Sequence, residues 1–103
     1  MQFKTSKDTD LLKDTFYQDS INISYEELVK LFGEPLIYGE EENSKTRAEW
    51  IIEWEDGGIT TIYDWKSEYI PVEDVVDWHV GGVNNKAAEY LHDYFKLMII
   101  ENN

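Results

Sequence analysis

Two pairs of residues in this chain have the types and spacing for chemistry. Asp77 and His79 stand two apart in a stretch that reads as a strand, so both project from the face opposite Trp78. An aspartate beside an imidazole can orient it as a general base or hold a metal with it. A metal centre needs a third and fourth ligand, and no other histidine has a spacing that brings it near. Glu89 and His92 give Glu-x-x-His on the last helix, a spacing that supplies ligands in di-iron bundles. Those bundles use two copies and further glutamates on facing helices, whereas this chain has one copy. Ser6, Ser20, Ser24, Ser44 and Ser67 have no nucleophile context, and Gly57-Gly58 and Gly81-Gly82 form neither a P-loop nor a dinucleotide fingerprint. With no cysteine, thiol nucleophiles, disulfides and iron–sulfur clusters are excluded. The expectation is a non-enzymatic chain without cofactor or metal; the alternative is an enzymatic or metal-binding chain using Asp77 and His79.

The carboxylates of the central hairpin point to binding instead. Ala48 to Trp65, AEWIIEWEDGGITTIYDW, reads as two strands around an acidic, glycine-rich turn. Ala48, Trp50, Ile52 and Trp54 alternate with Glu49, Ile51, Glu53 and Glu55, and the second arm carries Ile59, Thr61, Tyr63 and Trp65. A two-residue turn at Asp56-Gly57 pairs Trp54 with Ile59, Ile52 with Thr61, Trp50 with Tyr63 and Ala48 with Trp65. A four-residue turn from Glu55 to Gly58 keeps the same pairs, and a slip of one residue is expected to set Glu53 and Glu55 among the aromatics. In that register Glu49, Glu53 and Glu55 share an outer face with Asp64, and Ile51 opposite Ile62 makes an apolar island. Asp56 and the Glu40–Glu42 loop extend the negative region. Glu49 then faces Asp64, and such like-charge pairs destabilise a sheet unless solvent relieves them or function uses their field. The two readings are a partner-binding surface (Glu49, Ile51, Glu53, Glu55, Asp56, Ile62, Asp64) and a solvated sheet face.

Composition sets the partner. The chain has 103 residues, enough for one domain, with 42% hydrophobic and 15% aromatic content. Its net charge is −13, from 22 acidic and 9 basic residues. Phosphate contacts need clustered Lys and Arg, so direct binding to nucleic acid or to an anionic membrane is disfavoured. A protein with a basic surface is the favoured partner, such as a groove that normally holds nucleic acid. No apolar run approaches the ~20 residues of a membrane span. MQFKTSKDTD lacks the apolar segment of a signal peptide, so a cytoplasmic location is expected.

The elements that position these residues follow from local signals. Residues 1–20 are either a loosely held arm or begin a short helix at Thr9–Leu12 that buries Leu12 and Phe16. Ser24 and Glu27 form a capping box, and Ile23 and Leu28 a hydrophobic staple, for a helix from Tyr25 to Phe32. Leu28, Leu31 and Phe32 form its buried face; Gly33 stops it and Pro35 prevents continuation. Residues 75–80 read as a third strand with Val76, Trp78 and Val80 on one face. Asn84 or Asn85 caps a helix of about fifteen residues with Ala87, Ala88, Leu91, Tyr94, Phe95, Met98 and Ile99 as its stripe. Leu97 and Ile100 fall off that stripe, as fraying tail residues or as a contact for a homo-oligomer. The expected fold is α+β: a three-stranded antiparallel meander with the short and the longer helix packed on one face. Trp50 and Trp54 belong in its core, Trp65 and Trp78 partly so.

The motifs FGEP (Phe32–Pro35), AEW-I-EWEDG (Ala48–Gly57), TIYDWK (Thr61–Lys66) and WHVGG (Trp78–Gly82) resemble a pattern of small bacteriophage-encoded proteins, FGEP…EW…F-DG…ATIYDWK…WHIGG. The likeness covers about residues 28–90, with Trp54 where the pattern often has Phe and Thr60 where it has Ala. It implies an origin in a phage or prophage, hence an infected or lysogenic bacterial host, and no activity. The order helix, glycine–proline loop, meander also resembles the repeating unit of β-lactamase inhibitor protein and of the outer-membrane assembly lipoproteins, which are binding modules. The resulting expectation is an accessory protein that binds another protein. In its sharper form it inhibits a host nucleic-acid-handling or defence enzyme by presenting acids in place of DNA. The alternative is a structural or assembly protein acting as a homo-oligomer.

Overall fold

The hairpin of the sequence lies at the centre of a larger sheet. The structure, a computed structural model, describes residues 2–38, 45–67 and 69–102 and, in the last helix, side chains as far as Met98. Its elements are β1 (Phe3–Ser6), β2 (Phe16–Asn22), α1 (Tyr25–Phe32), β3 (Leu36–Ile37), β4 (Ala48–Trp54), β5 (Ile59–Tyr63), β6 (Asp77–Gly82) and α2 (Lys86–Asn102). The fold is α+β, with a six-stranded antiparallel sheet in the order β1-β4-β5-β6-β2 and β3 also paired to β4. The expected meander β4-β5-β6 is therefore only the middle of the sheet. Residues 3–6 and 16–22, which begin within the stretch 1–20 expected as a loosely held arm or the start of a short helix, are its two outer strands. FKTS and FYQDSIN carry little periodic apolar signal; they become strands by pairing with β4 and β6, which no local window can show.

Each helix is made by local chemistry. The Ser24 hydroxyl accepts from the Glu27 N–H at 3.1 Å, and the Gly33 N–H donates to Val29 O at 2.8 Å with φ at 82°. Asn84 Oδ1 accepts from the Lys86 N–H at 2.9 Å and starts α2. A side chain at Gly82 would strike Ala87, so α2 reaches β6 only over glycine. No described helix is long and apolar enough to cross a membrane.

The core lies between the sheet and the helices. Trp50, Trp54 and Trp78 are buried there with Leu28, Phe32, Ile52, Ile62, Val80 and Leu91. Each indole N–H finds an acceptor: Gly33 O at 2.8 Å, the Thr60 hydroxyl at 2.8 Å and Ile23 O at 2.9 Å respectively. Trp78 is thus wholly inside, whereas Trp65 stays exposed. Phe16, expected to be buried, is exposed on β2, and Leu12 is half-buried. The third strand begins at Asp77 rather than at 75, which leaves Val75 inside and Val76 exposed.

The β4–β5 register differs by one residue from the expected one. Glu49 pairs with Tyr63, Trp50 with Ile62, Ile51 with Thr61, Ile52 with Thr60 and Glu53 with Ile59. The loop explains it. Trp54 N–H donates to Gly58 O at 2.9 Å, closing a three-residue loop of Glu55, Asp56 and Gly57 with Gly57 at φ 88°. An odd loop shifts the pairing by one relative to a loop of two or four. The shift turns over β5, not β4, so the tryptophans of β4 keep their side and no glutamate enters the core.

β1 and β2 lie at opposite edges, so residues 7–15 must cross the sheet. They cross the side away from the helices, where Thr9–Leu12, the stretch expected to begin a short helix, forms a 3-10 helix that packs against β5. Ile51 and Thr61 are fully buried on that side although neither belongs to the helix-side core.

Candidate functional site

The observed register disperses the expected partner-binding surface. Glu49 is only 8% exposed; the Tyr38 hydroxyl donates to Oε1 at 2.6 Å and the Thr61 hydroxyl to Oε2. Burial pushes its carboxyl above the usual glutamate range, against the pull of the two hydroxyls, and the charge of Asp64 adds to the rise. Ile51 and Ile62 do not form an island. They are buried on opposite sides of the sheet, Ile51 away from the helices and Ile62 in the core.

Asp64 is fully buried and does not face Glu49. Its Oδ1 accepts from the N–H groups of Arg47 at 2.8 Å and Ala48 at 2.9 Å; its Oδ2 accepts from the Arg47 guanidinium at 3.2 Å and the Ser67 hydroxyl at 2.7 Å. Burial pushes Asp64 up, but the donors of Ala48, Ser67 and Arg47 outweigh it and hold the carboxyl below the usual aspartate range. Arg47 also donates to the carbonyls of Ser67 at 2.8 Å and Ile70 at 2.7 Å, so this acid ties the segment after β5 to the start of β4.

The remaining expected residues lie toward the hairpin tip. Glu53 pairs with Lys4 at 3.6 Å, while Glu55 and Asp56 are exposed. Asp56 accepts from the Tyr90 hydroxyl at 2.5 Å and the Gly58 N–H at 2.9 Å; these bonds hold its carboxyl below the usual range. The Glu40–Glu42 loop lies outside the described residues, as does the side chain of Ile100; Leu97 is exposed. Four of the seven expected contacts, Glu49, Ile51, Ile62 and Asp64, are therefore structural.

His79 has rings as its neighbours. Its imidazole lies 4.5 Å from the Tyr17 ring, 5.5 Å from Tyr63 and 5.9 Å from Trp65, the last stacked at 23°. Burial lowers its pKa, which keeps it neutral at neutral pH. His92 pairs with Asp19 of β2 at 3.0 Å, across elements, rather than with Glu89. Among the described residues no three acids or histidines converge as metal ligands.

What the fold brings together instead is a surface of rings on the side away from the helices. Tyr63 and His79 are cross-strand partners and Tyr17 reaches them from β2, while Trp65 follows β5. Tyr17 remains 51% and Trp65 40% exposed, with the half-buried Tyr63 and His79 bracing them. The ammonium groups of Lys45 and Lys66 lie 5.6 and 5.9 Å from the Trp65 ring centroid, within cation–π range. The odd spacing of Tyr63, Trp65 and His79 hints at this group in the sequence; nothing there points to Tyr17. Compared with models of known protein families, with curated proteins and with solved structures, the chain matches none of them.

Proposed function

We propose that this chain is a non-enzymatic binding module that docks another protein on the Tyr17–His79–Trp65 surface. One observation carries the reading: two large amphipathic rings, Tyr17 and Trp65, stay half exposed while both pack against the ring of His79. Tyr and Trp in such a setting give much contact area for little lost side-chain entropy, which is why they dominate binding hot spots. The net charge of −13 favours a partner with a basic surface and speeds their encounter. The resemblance to phage proteins favours a partner in the cytoplasm of a bacterial host.

Inhibition of a nucleic-acid-handling or defence enzyme remains a proposal within this reading. It no longer rests on an acidic hairpin face, because Glu49 and Asp64 are buried. The test is capture from bacterial lysate by the immobilised chain and by its Tyr17→Ala/Trp65→Ala variant, with duplex DNA as competitor. The proposal expects a partner that the variant loses at unchanged thermal midpoint; release by DNA would identify a nucleic-acid enzyme. Equal capture by both forms would sink the ring surface as the docking site.

A further inference from the structure

The sheet has two unlike edges. One is divided between β1 and β3, of four and two residues, and carries Lys4, a charge of the kind that keeps edges from pairing with other chains. The other is β2, seven residues with neither lysine nor proline. The Ile23 N–H donates inward to Val76 O at 2.9 Å, so alternation turns the N–H groups of Ser20 and Asn22 outward. Asp19 is the sole charge on β2. Its Oδ1 takes up the outward Ser20 N–H at 2.8 Å, and its Oδ2 lies 3.0 Å from His92 Nε2. The register shift between Tyr17 and Asp19 interrupts the ladder at Gln18, leaving Asp19–Asn22 as the longer regular stretch.

Both sides of this edge offer contacts. On the helix side a groove of about 700 Å³ runs between α1 and α2, lined by Ile21, Ile23, Leu31, Phe95 and Met98. On the other side Tyr17 of β2 is part of the ring surface. An added strand sends alternate side chains to the two sides, so one short segment would reach both.

We propose that β2 receives an extended segment of a basic protein as an added strand. This rests on the reading that the chain binds a protein and supplies its mode. The incoming backbone offers a carbonyl to the Ser20 N–H and displaces Asp19. A Lys or Arg on the segment then meets the freed carboxylate. The charges lining the adjoining hollows favour a basic segment too, since Asp19, Glu27, Glu89 and Asp93 outnumber Lys30 and Lys96. A second copy of this chain would instead bring a charge of −13 against −13.

The test titrates the isotope-labelled full chain at low salt with a capped eight-residue peptide alternating Val and Lys. The same peptide N-methylated at every residue is the control; it keeps the charge and side chains but removes the backbone donors. Strand addition predicts shifts and slowed hydrogen exchange at Ser20 and Asn22, at least tenfold weaker binding of the methylated peptide, and loss of binding in Asp19→Lys. Equal binding of both peptides, spread over the acidic faces, would reduce the effect to charge attraction and overturn the proposal. So would shifts confined to Trp65 and His79, which would leave protein binding at the rings standing, or no binding at all. Loss of lysate capture on changing the rings, with β2 silent to the peptide, would likewise remove strand addition alone.

Discussion

The two sides of the sheet are built differently. The helix side holds one continuous core in which Trp50, Trp54 and Trp78 all have their indole N–H groups satisfied. Among the described residues the other side is covered by the segment 7–15, packed on β5, and by Tyr38 at Glu49, while Tyr17 and Trp65 stand half exposed. A buried acid marks the contrast. Asp64, continuing the helix-side alternation of Thr60 and Ile62, is met by two backbone N–H groups, a guanidinium and a hydroxyl, which keep it charged. Glu49, on the side of Thr61 and Tyr63, is met by two hydroxyls whose pull does not offset its burial. Full donor sets fix structure; the partly covered side leaves groups available for other work.

Substitutions that break this contrast should differ in size. Trp78→Ala removes the most buried of the core tryptophans and should cost about 4 kcal/mol in chemical denaturation. Asp64→Asn leaves Arg47 without its anion and should cost about 3 kcal/mol. Because the folded pKa of Asp64 is depressed, its contribution is present above the ordinary aspartate value and lost as pH falls through the folded one. Acid titration of stability should therefore flatten in the Asn variant.

Glu49 has the opposite sign. Its folded pKa is raised, so the native protein gains stability as pH falls through the raised value and holds that gain fully below the ordinary one. Glu49→Gln should alter neutral-pH stability by less than about 1 kcal/mol, in either direction, and abolish the gain on mild acidification. Trp65→Ala, at an exposed ring, should change the thermal midpoint least of all and act on binding instead.

Local signals made α1 and the strands of the hairpin legible before any tertiary contact was known. The Ser24 cap, the Gly33 stop and the alternating tryptophans each act within a few residues. The register was not legible, because Glu55-Asp56-Gly57-Gly58 accommodates loops of two, three or four residues, and ITTIY offers an apolar or hydroxyl residue to either side. That single residue hid the burial of Glu49 and the separation of Ile51 from Ile62. Asp64 looked like a surface acid because its cation, Arg47, lies seventeen residues upstream and meets it only once β4 and β5 pair. Tyr17 was missed with β2 itself, a polar strand formed by pairing with β6.

Carbon-detected NMR titration of the side-chain carboxyls reads the contrast between the two sides in one experiment. The structure predicts that Glu49 titrates above the usual glutamate range while Asp64 titrates below the usual aspartate range. Ordinary values for both would contradict it, returning these acids to a solvated hairpin face and removing the register on which the ring surface depends.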